Sequence, residues 1–260
     1  MSDNSFPFFP IPTHRDLRIF QLNNTQVLII GCDSCGGIGP KPLDKLKVDG
    51  YTLGKFTARV ALMEVVSTGA KPICITDNLS VELDPTGLEI LKGVRNEAVI
   101  AGLDPNLAVT GSAEKNFAVE QTGLGITVIG ISDKNNLRIG TSKTGDALLA
   151  LGKPCVGVEV LTAEAQHSIC TTSDLNKLLS LDFIHEIIPV GSEGIKREVE
   201  VLAESSTLRF IPNKTCTIDF EKTGGPATVL LASLPINCLN QLKAIFDMPL
   251  SHIGRFVDKK

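Results

Sequence analysis

Ile30-Gly31-Cys32-Asp33-Ser34-Cys35-Gly36-Gly37-Ile38-Gly39 is the stretch on which the reading of this chain turns. The run Gln26–Ile30 ahead of it ends in continuous apolar residues and reads as a buried strand. The glycines that follow predict a loop over Gly31–Gly39. A backbone without Cβ turns sharply and brings its N–H groups close to an anionic ligand. The loop is not of the Walker A type, because Gly36 is followed by Gly37-Ile38 and not by lysine and a hydroxyl residue. It also lacks the spacing of a dinucleotide-binding turn that opens a helix directly. Gly31, Gly36 and Gly37 are candidate phosphate-binding positions, and the plainer alternative is a tight turn without a ligand. Asp33 favours the first reading. A carboxylate just past a buried strand, among glycines, can bind Mg²⁺ and so place nucleotide phosphates.

Downstream, a helix opens at Tyr51 or Thr52 and runs to about Ser67, with Gly69 as its stop. Phe56, Val60, Met63 and Val66 form its apolar stripe, and Thr57, Ala61, Glu64 and Thr68 a separate, more polar row. Pro72–Thr76 reads as a strand leading to Asp77 and Glu82, and Asp84-Pro85 as a helix start. Leu107–Thr110 and Gly125–Ile131 read as further strands. The polar stretch Ser132–Gly145 marks a domain boundary, giving domains 1–140 and 141–260. Beyond it, Ala147–Ala150 and Thr228–Ala232 read as strands. Thr172–Leu179, Ser192–Ala203 and Asn237–Phe246 read as helices. The fold class is α+β.

Composition narrows the function. The chain has 260 residues, is 43% hydrophobic and 21% charged, and carries a net charge of −4, so it can bury a sizeable core. It has no basic stripe with which to neutralise phosphates, which argues against nucleic acid or an anionic membrane as a partner. No apolar run approaches the roughly 18 residues a membrane span requires. Met1–Pro12 does not read as an export signal, and Phe6–Thr13 reads as an extended arm that packs on the body or on a partner. The seven cysteines are odd in number and scattered, as buried thiols of a reducing, cytoplasmic compartment are. Cys32 and Cys35 form a lone C-x-x-C, open to a redox reading or to plain packing, with no second pair to complete a zinc site. The four histidines are dispersed, and no serine-nucleophile motif is present.

The stretch Gly31–Gly130 resembles the N-terminal domain of the aminoimidazole ribonucleotide synthetase superfamily, which includes thiamine-monophosphate kinase, selenophosphate synthetase and a hydrogenase maturation protein. The resemblance rests on several blocks. The first is Ile30-Gly31-Cys32-Asp33. The second is Leu62-Met63-Glu64-Val65-Val66-Ser67-Thr68-Gly69-Ala70-Lys71-Pro72. The third is Val109-Thr110-Gly111-Ser112-Ala113-Glu114, and the last is Gly123–Gly130. In the second half, Ile187–Ile195, with Ser192-Glu193-Gly194, resembles the Asp-Ile-Ser-Asp-Gly-Leu block of thiamine-monophosphate kinase. The resemblance implies a two-domain α+β fold that dimerises through N-terminal strands, with ATP and Mg²⁺ in a cleft at the dimer interface. It implies Asp33 and Glu64 as metal ligands, and Asp16, Ser112 and Glu114 around the triphosphate. Glu193 is implied to face the acceptor. Glu64 and Glu193 stand where the superfamily uses aspartate, and Ser112 where it uses an acidic or polar ligand.

The block Cys32–Gly39 together with Thr57–Glu64 resembles a kinase branch associated with α-ribazole salvage for cobalamin assembly. The expectation is an ATP- and Mg²⁺-dependent kinase acting on a hydroxyl of a small nucleoside-like acceptor, with Asp33 and Glu193 as catalytic groups. Two alternatives stand beside it: an ATP-dependent synthetase of selenophosphate synthetase or cyclo-ligase type, and a non-catalytic nucleotide-binding dimer.

Overall fold

The computed structural model describes residues 15–259, so the expected arm Phe6–Thr13 lies outside the described residues. In chain order the first half comprises β1 (Arg18–Gln21), β2 (Gln26–Gly36), β3 (Ile38–Gly39), β4 (Leu46–Lys47) and α1 (Gly50–Ser67). It continues with β5 (Lys71–Leu79), α2 (Leu88–Ile100), α3 (Pro105–Ala108), β6 (Val109–Ala113) and β7 (Gly123–Asp133). Its main sheet has the order β1-β2-β7-β5-β6. The second half comprises β8 (Asp146–Leu151), α4 (Glu159–Ala165), α5 (Thr172–Leu179), β9 (Glu186–Pro189) and α6 (Gly194–Ser205). It ends with β10 (Leu208–Pro212), β11 (Leu230–Pro235), α7 (Leu239–Ile245) and β12 (Leu250–Asp258). The second sheet has the order β10-β12-β8-β11-β9. The α+β expectation holds. No described helix is long and apolar enough to cross a membrane.

Helix α1 is the shared wall of the two sheets. Asp49 caps it, accepting from the Thr52 N–H at 2.7 Å. Its apolar stripe and its polar row are both buried, against different layers. Leu53, Ala58, Ala61, Leu62 and Val65 belong to the core of the first sheet, while Met63 and Val66 belong to the core of the second. A helix buried on all sides needs small residues where another helix crosses it. A Cβ on Gly54 would lie 2.0 Å from the Ile90 carbonyl oxygen, and one on Gly93 would lie 2.1 Å from the Tyr51 oxygen. Helices α1 and α2 therefore touch backbone to backbone.

Two buried charges tie α1 to its neighbours. Arg59 donates to Glu97 of α2 at 2.9 Å and to Glu164 of α4 at 3.0 Å, and Thr172 of α5 donates to the other Glu97 oxygen at 2.5 Å. Glu97 is fully buried and fully bonded, which is the condition under which a charge survives in a core.

The structure corrects the expected glycine loop. Gly31–Gly36 continues β2 as strand, in register with Val128–Gly123 of β7, and the chain turns only beyond it, with positive φ at Gly37 and Gly39. Gly31 is there for packing, since a Cβ would lie 2.9 Å from Val65 Cγ2 and 3.0 Å from Leu17 Cδ2. The helix start expected at Asp84-Pro85 is present: Asp84 keeps the extended dihedrals of a cap residue, and a wider helical turn through Gly87 runs straight into α2. Substituting Gly93 by alanine is expected to cost about 3 kcal/mol in urea unfolding, because a backbone contact cannot yield to a new methyl group. Gly36→Ala, whose Cβ would meet nothing within 4 Å, should change stability by less than about 0.5 kcal/mol.

Candidate functional site

Strand alternation sorts the residues of β2. Val27, Ile29, Gly31, Asp33 and Cys35 face α1, and Cys32 and Ser34 face away. Cys32 and Cys35 thus lie on opposite faces of one strand, so they can neither pair nor share a metal. Burial pushes the Cys35 thiol up to about 11, which keeps it protonated and a poor nucleophile.

The row at Asp33 crosses the sheet as Asp33, Ile126, Asp77 and Gly111. It puts Asp33 and Asp77 on the α1 side, two strand spacings or about 10 Å apart. A Cβ on Gly111 would sit 2.4 Å from the Asp77 carboxyl carbon, so this glycine makes room for that side chain. Burial pushes both carboxyls up to about 6, and the charge of Asp16 adds to the rise at Asp33. Asp77 was not among the expected site residues, and nothing in its own strand pattern distinguishes it from a strand-end aspartate.

Glu64 packs over Gly31, its Cβ 3.5 Å from where a glycine Cβ would be. It is ion-paired with Arg15, whose second nitrogen donates to Glu198 of α6 at 3.0 Å. This Glu64–Arg15–Glu198 chain spans the two sheets. Burial pushes Glu64 up to about 7, against the pull of Arg15 and with the repulsion of Asp16 and Glu198. Burial also raises Glu198. Arg15 itself is held in the left-handed backbone region at φ 57°, an arrangement that costs about 1–2 kcal/mol and persists only where contacts enforce it.

Glu198 was missed by the sequence reading and has the one buried side-chain oxygen or nitrogen without a partner among the described residues, its Oε2. The signal was available. Glu198 occupies an apolar-stripe position of α6 with Ile195, Val199 and Leu202, where a carboxylate needs a reason. It lines a polar hollow with Asp16, Gly191, Ser192, Glu193 and Arg197. Glu193, at the N-cap of α6, is exposed at the rim of that hollow and makes no side-chain cap bond.

The remaining expected residues lie elsewhere. Gly36 and Gly37 line an open hollow at the end of the first sheet with Lys45, Ser80 and Gln121. Glu114 is half-buried, and its carboxylate accepts from the Asn116 N–H at 2.6 Å to close its own turn. Ser112 pairs across β6 with Asn78. Both sit three strands from β2, about 14 Å away in the sheet. The structure brings Asp16, Asp33 and Glu64 within electrostatic reach of one another and leaves Ser112 and Glu114 outside that group.

No family model and no curated protein matches the chain. Solved structures do. Thiamine-monophosphate kinase from Stenotrophomonas maltophilia K279a matches with a TM-score of 0.62 and 17% identity, over 93% of this chain and 86% of its own. AaThiL complexed with AMPPCP and TMP gives 0.65 and 13%, over 95% and 86%. The hydrogenase maturation protein HypE of E. coli gives 0.63 and 16%, over 89% and 80%. The chain has the aminoimidazole ribonucleotide synthetase-like fold.

Within this fold the fit to Mg²⁺ follows from the donors present. Among the described residues no three histidine, cysteine or carboxylate side chains converge as a metal cage. Glu64, expected as a metal ligand, is neutralised by Arg15 instead. Asp33 and Asp16 do fit the mode in which Mg²⁺ takes one or two carboxylates and completes its shell with phosphate oxygens and water. Their mutual repulsion is what a bound cation relieves.

The raised carboxyls give a stability test. Asp77 folded holds its proton to about pH 6, against a usual value of 3.8, so stability falls as pH rises through that window and then levels off. Asp77→Asn should stabilise the protein at pH 7 by about 1–3 kcal/mol, and the gain should vanish near pH 4, as read by thermal unfolding at both pH values.

Proposed function

We propose that this protein is an ATP-dependent kinase that phosphorylates a hydroxyl of a small nucleoside-like acceptor, with α-ribazole the best single candidate. The observation that carries the reading is the polar hollow in which Asp16, Glu193 and the unpartnered Glu198 oxygen lie together, with Asp33 within electrostatic reach of Asp16. Phosphoryl transfer asks for this, since its catalysis is positioning and charge neutralisation and not covalent chemistry. The likeness in fold to thiamine-monophosphate kinases, one of them complexed with AMPPCP and TMP, supports ATP as the donor.

In this reading Asp33 and Asp16 hold Mg²⁺, which when bound neutralises charge on the phosphates. Gly36 and Gly37 present backbone to the phosphates at the sheet end, next to Lys45. Glu193 at the rim and Glu198 at the floor address the acceptor hydroxyl. The raised affinity of Glu198 for protons suits a group that accepts the hydroxyl proton as the bond to phosphorus forms. Arg15 keeps Glu198 oriented.

The same reading includes a homodimer. Leu28, Ile30, Ile129 and Ile131 lie on the sheet face away from α1, half-buried and outside every core cluster of the described residues, with Ile73 46% exposed nearby. A second copy would cover them.

Incubation with α-ribazole, Mg²⁺ and γ-labelled ATP should yield labelled α-ribazole phosphate. Asp33→Asn should lower kcat at least about 100-fold, and Glu198→Gln by about the same factor. Turnover in the wild type should rise with pH through about 6, where Asp33 becomes ionised. If no label leaves ATP with this or any of a panel of hydroxylated acceptors, the kinase reading fails.

A further inference from the structure

A separate chamber shares no wall residue with the hollow of Glu193 and Glu198. It lies between the N-terminal half of α1 and α4, holds about 270 Å³, and has Asp33 in its wall. Its other walls are Leu53, Phe56 and Val60 of α1, Val160 of α4, and Pro226. Among the described residues no lysine or arginine lines it. Lys55 and Arg59 stack on Phe56 at 4.8 Å, but both are paired with Glu164, at 2.5 and 3.0 Å. At its mouth two large apolar side chains stand open to solvent, Val156 at 45% and Leu161 at 42% exposure.

These features select a ligand by chemistry. An apolar wall stabilises flat apolar surface, at about 25 cal/mol per Å² removed from water. Asp33 is the group that the kinase reading commits to Mg²⁺ and the phosphates, and the rest of the wall offers an anion no cationic side chain among the described residues, so the body of the chamber suits an uncharged group. The volume is at the small end of ligand pockets, enough for a two-ring fragment and too small for a whole nucleotide. Thr57 adds one polar handle, since its hydroxyl donates to the Leu53 oxygen at 2.9 Å and keeps acceptor capacity.

We propose that this chamber binds the uncharged, flat, two-ring end of the acceptor, which leaves the acceptor's hydroxyl arm on the Asp33 side. This rests on the reading of the cleft as a kinase site and names the part of the acceptor that confers specificity. Leu161 and Val156 are then contact residues for the ring.

Benzimidazole tests the chamber without any phosphate chemistry. In calorimetry and saturation-transfer NMR at pH 8, the full chain should bind benzimidazole and should bind benzoate at least tenfold more weakly. Leu161→Arg, a half-exposed position where a charge does not disturb the core, should weaken benzimidazole at least tenfold. Saturating AMPPCP should leave benzimidazole bound. Equal binding of benzoate, or no effect of Leu161→Arg, overturns the proposal. Displacement by AMPPCP overturns it too, by assigning the chamber to the nucleotide base. A variant with Phe8→Ser and Phe9→Ser separates the remaining occupant. If only that variant binds benzimidazole, the chain's own phenylalanines hold the chamber and the proposal fails. Ring binding without phosphate transfer would keep this proposal and remove the kinase reading, and transfer without ring binding would do the reverse.

Discussion

Helix α1 has no solvent side to speak of, and the rest of the molecule is arranged around that constraint. Its Leu53, Ala61 and Val65 belong to one core, and its Met63 and Val66 to another. Burying both sides of a helix contributes large apolar area but forbids bulky side chains where a second helix crosses, hence Gly54 and Gly93 in direct contact with the backbone of the other helix. The polar groups it carries inward must each meet a partner. Arg59 does so through Glu97 and Glu164, and Glu64 through Arg15. The two sheets therefore meet through ion pairs as well as through apolar packing.

That arrangement places the chemistry. The row Thr57, Ala61, Glu64, Thr68 lies against the first sheet, with Glu64 over Gly31, two residues from Asp33 on the same strand face. Arg15 then links Glu64 to Glu198 on the far side of the cleft. Burial, and after it the repulsion of neighbouring carboxylates, makes Asp33 and Glu64 resist ionisation. A site that keeps such groups has a use for cations or for protons, and phosphoryl transfer uses both. Arg15 stabilises the cluster in the meantime and is the reason Glu64 acts as a strut more than as an open ligand.

Much of this was legible beforehand, and the failures have physical causes. Helix α1 and the strand before Asp33 follow from periodicity and punctuation, and α5 matches its expected span of Thr172–Leu179 residue for residue. The glycines of β2 misled, because local rules assign glycine to turns, whereas Gly31 answers a tertiary demand from Val65 and Leu17. Strands β1, β9, β10 and β12 were not anticipated, since short strands depend on their neighbours more than on their own sequence. The carboxylates Asp33 and Glu64 came from resemblance to known blocks, but no linear pattern reveals that Arg15 neutralises Glu64. Glu198 could have been found by asking why a glutamate interrupts an apolar helix stripe. The two-residue gap between Cys32 and Cys35 suggested a pair until strand geometry put them on opposite faces.

Helix α1, packed into both cores, joins the two sheets into one cooperative unit and so fixes the geometry between them. Native-state hydrogen exchange measures this directly. The slowest amides of α1, of β7 in the first sheet and of β8 in the second should exchange only through global unfolding, at one common free energy and with one common denaturant dependence. Amides of β8 and β11 that open at a distinctly lower free energy, while those of β2 and β7 stay protected, would contradict it.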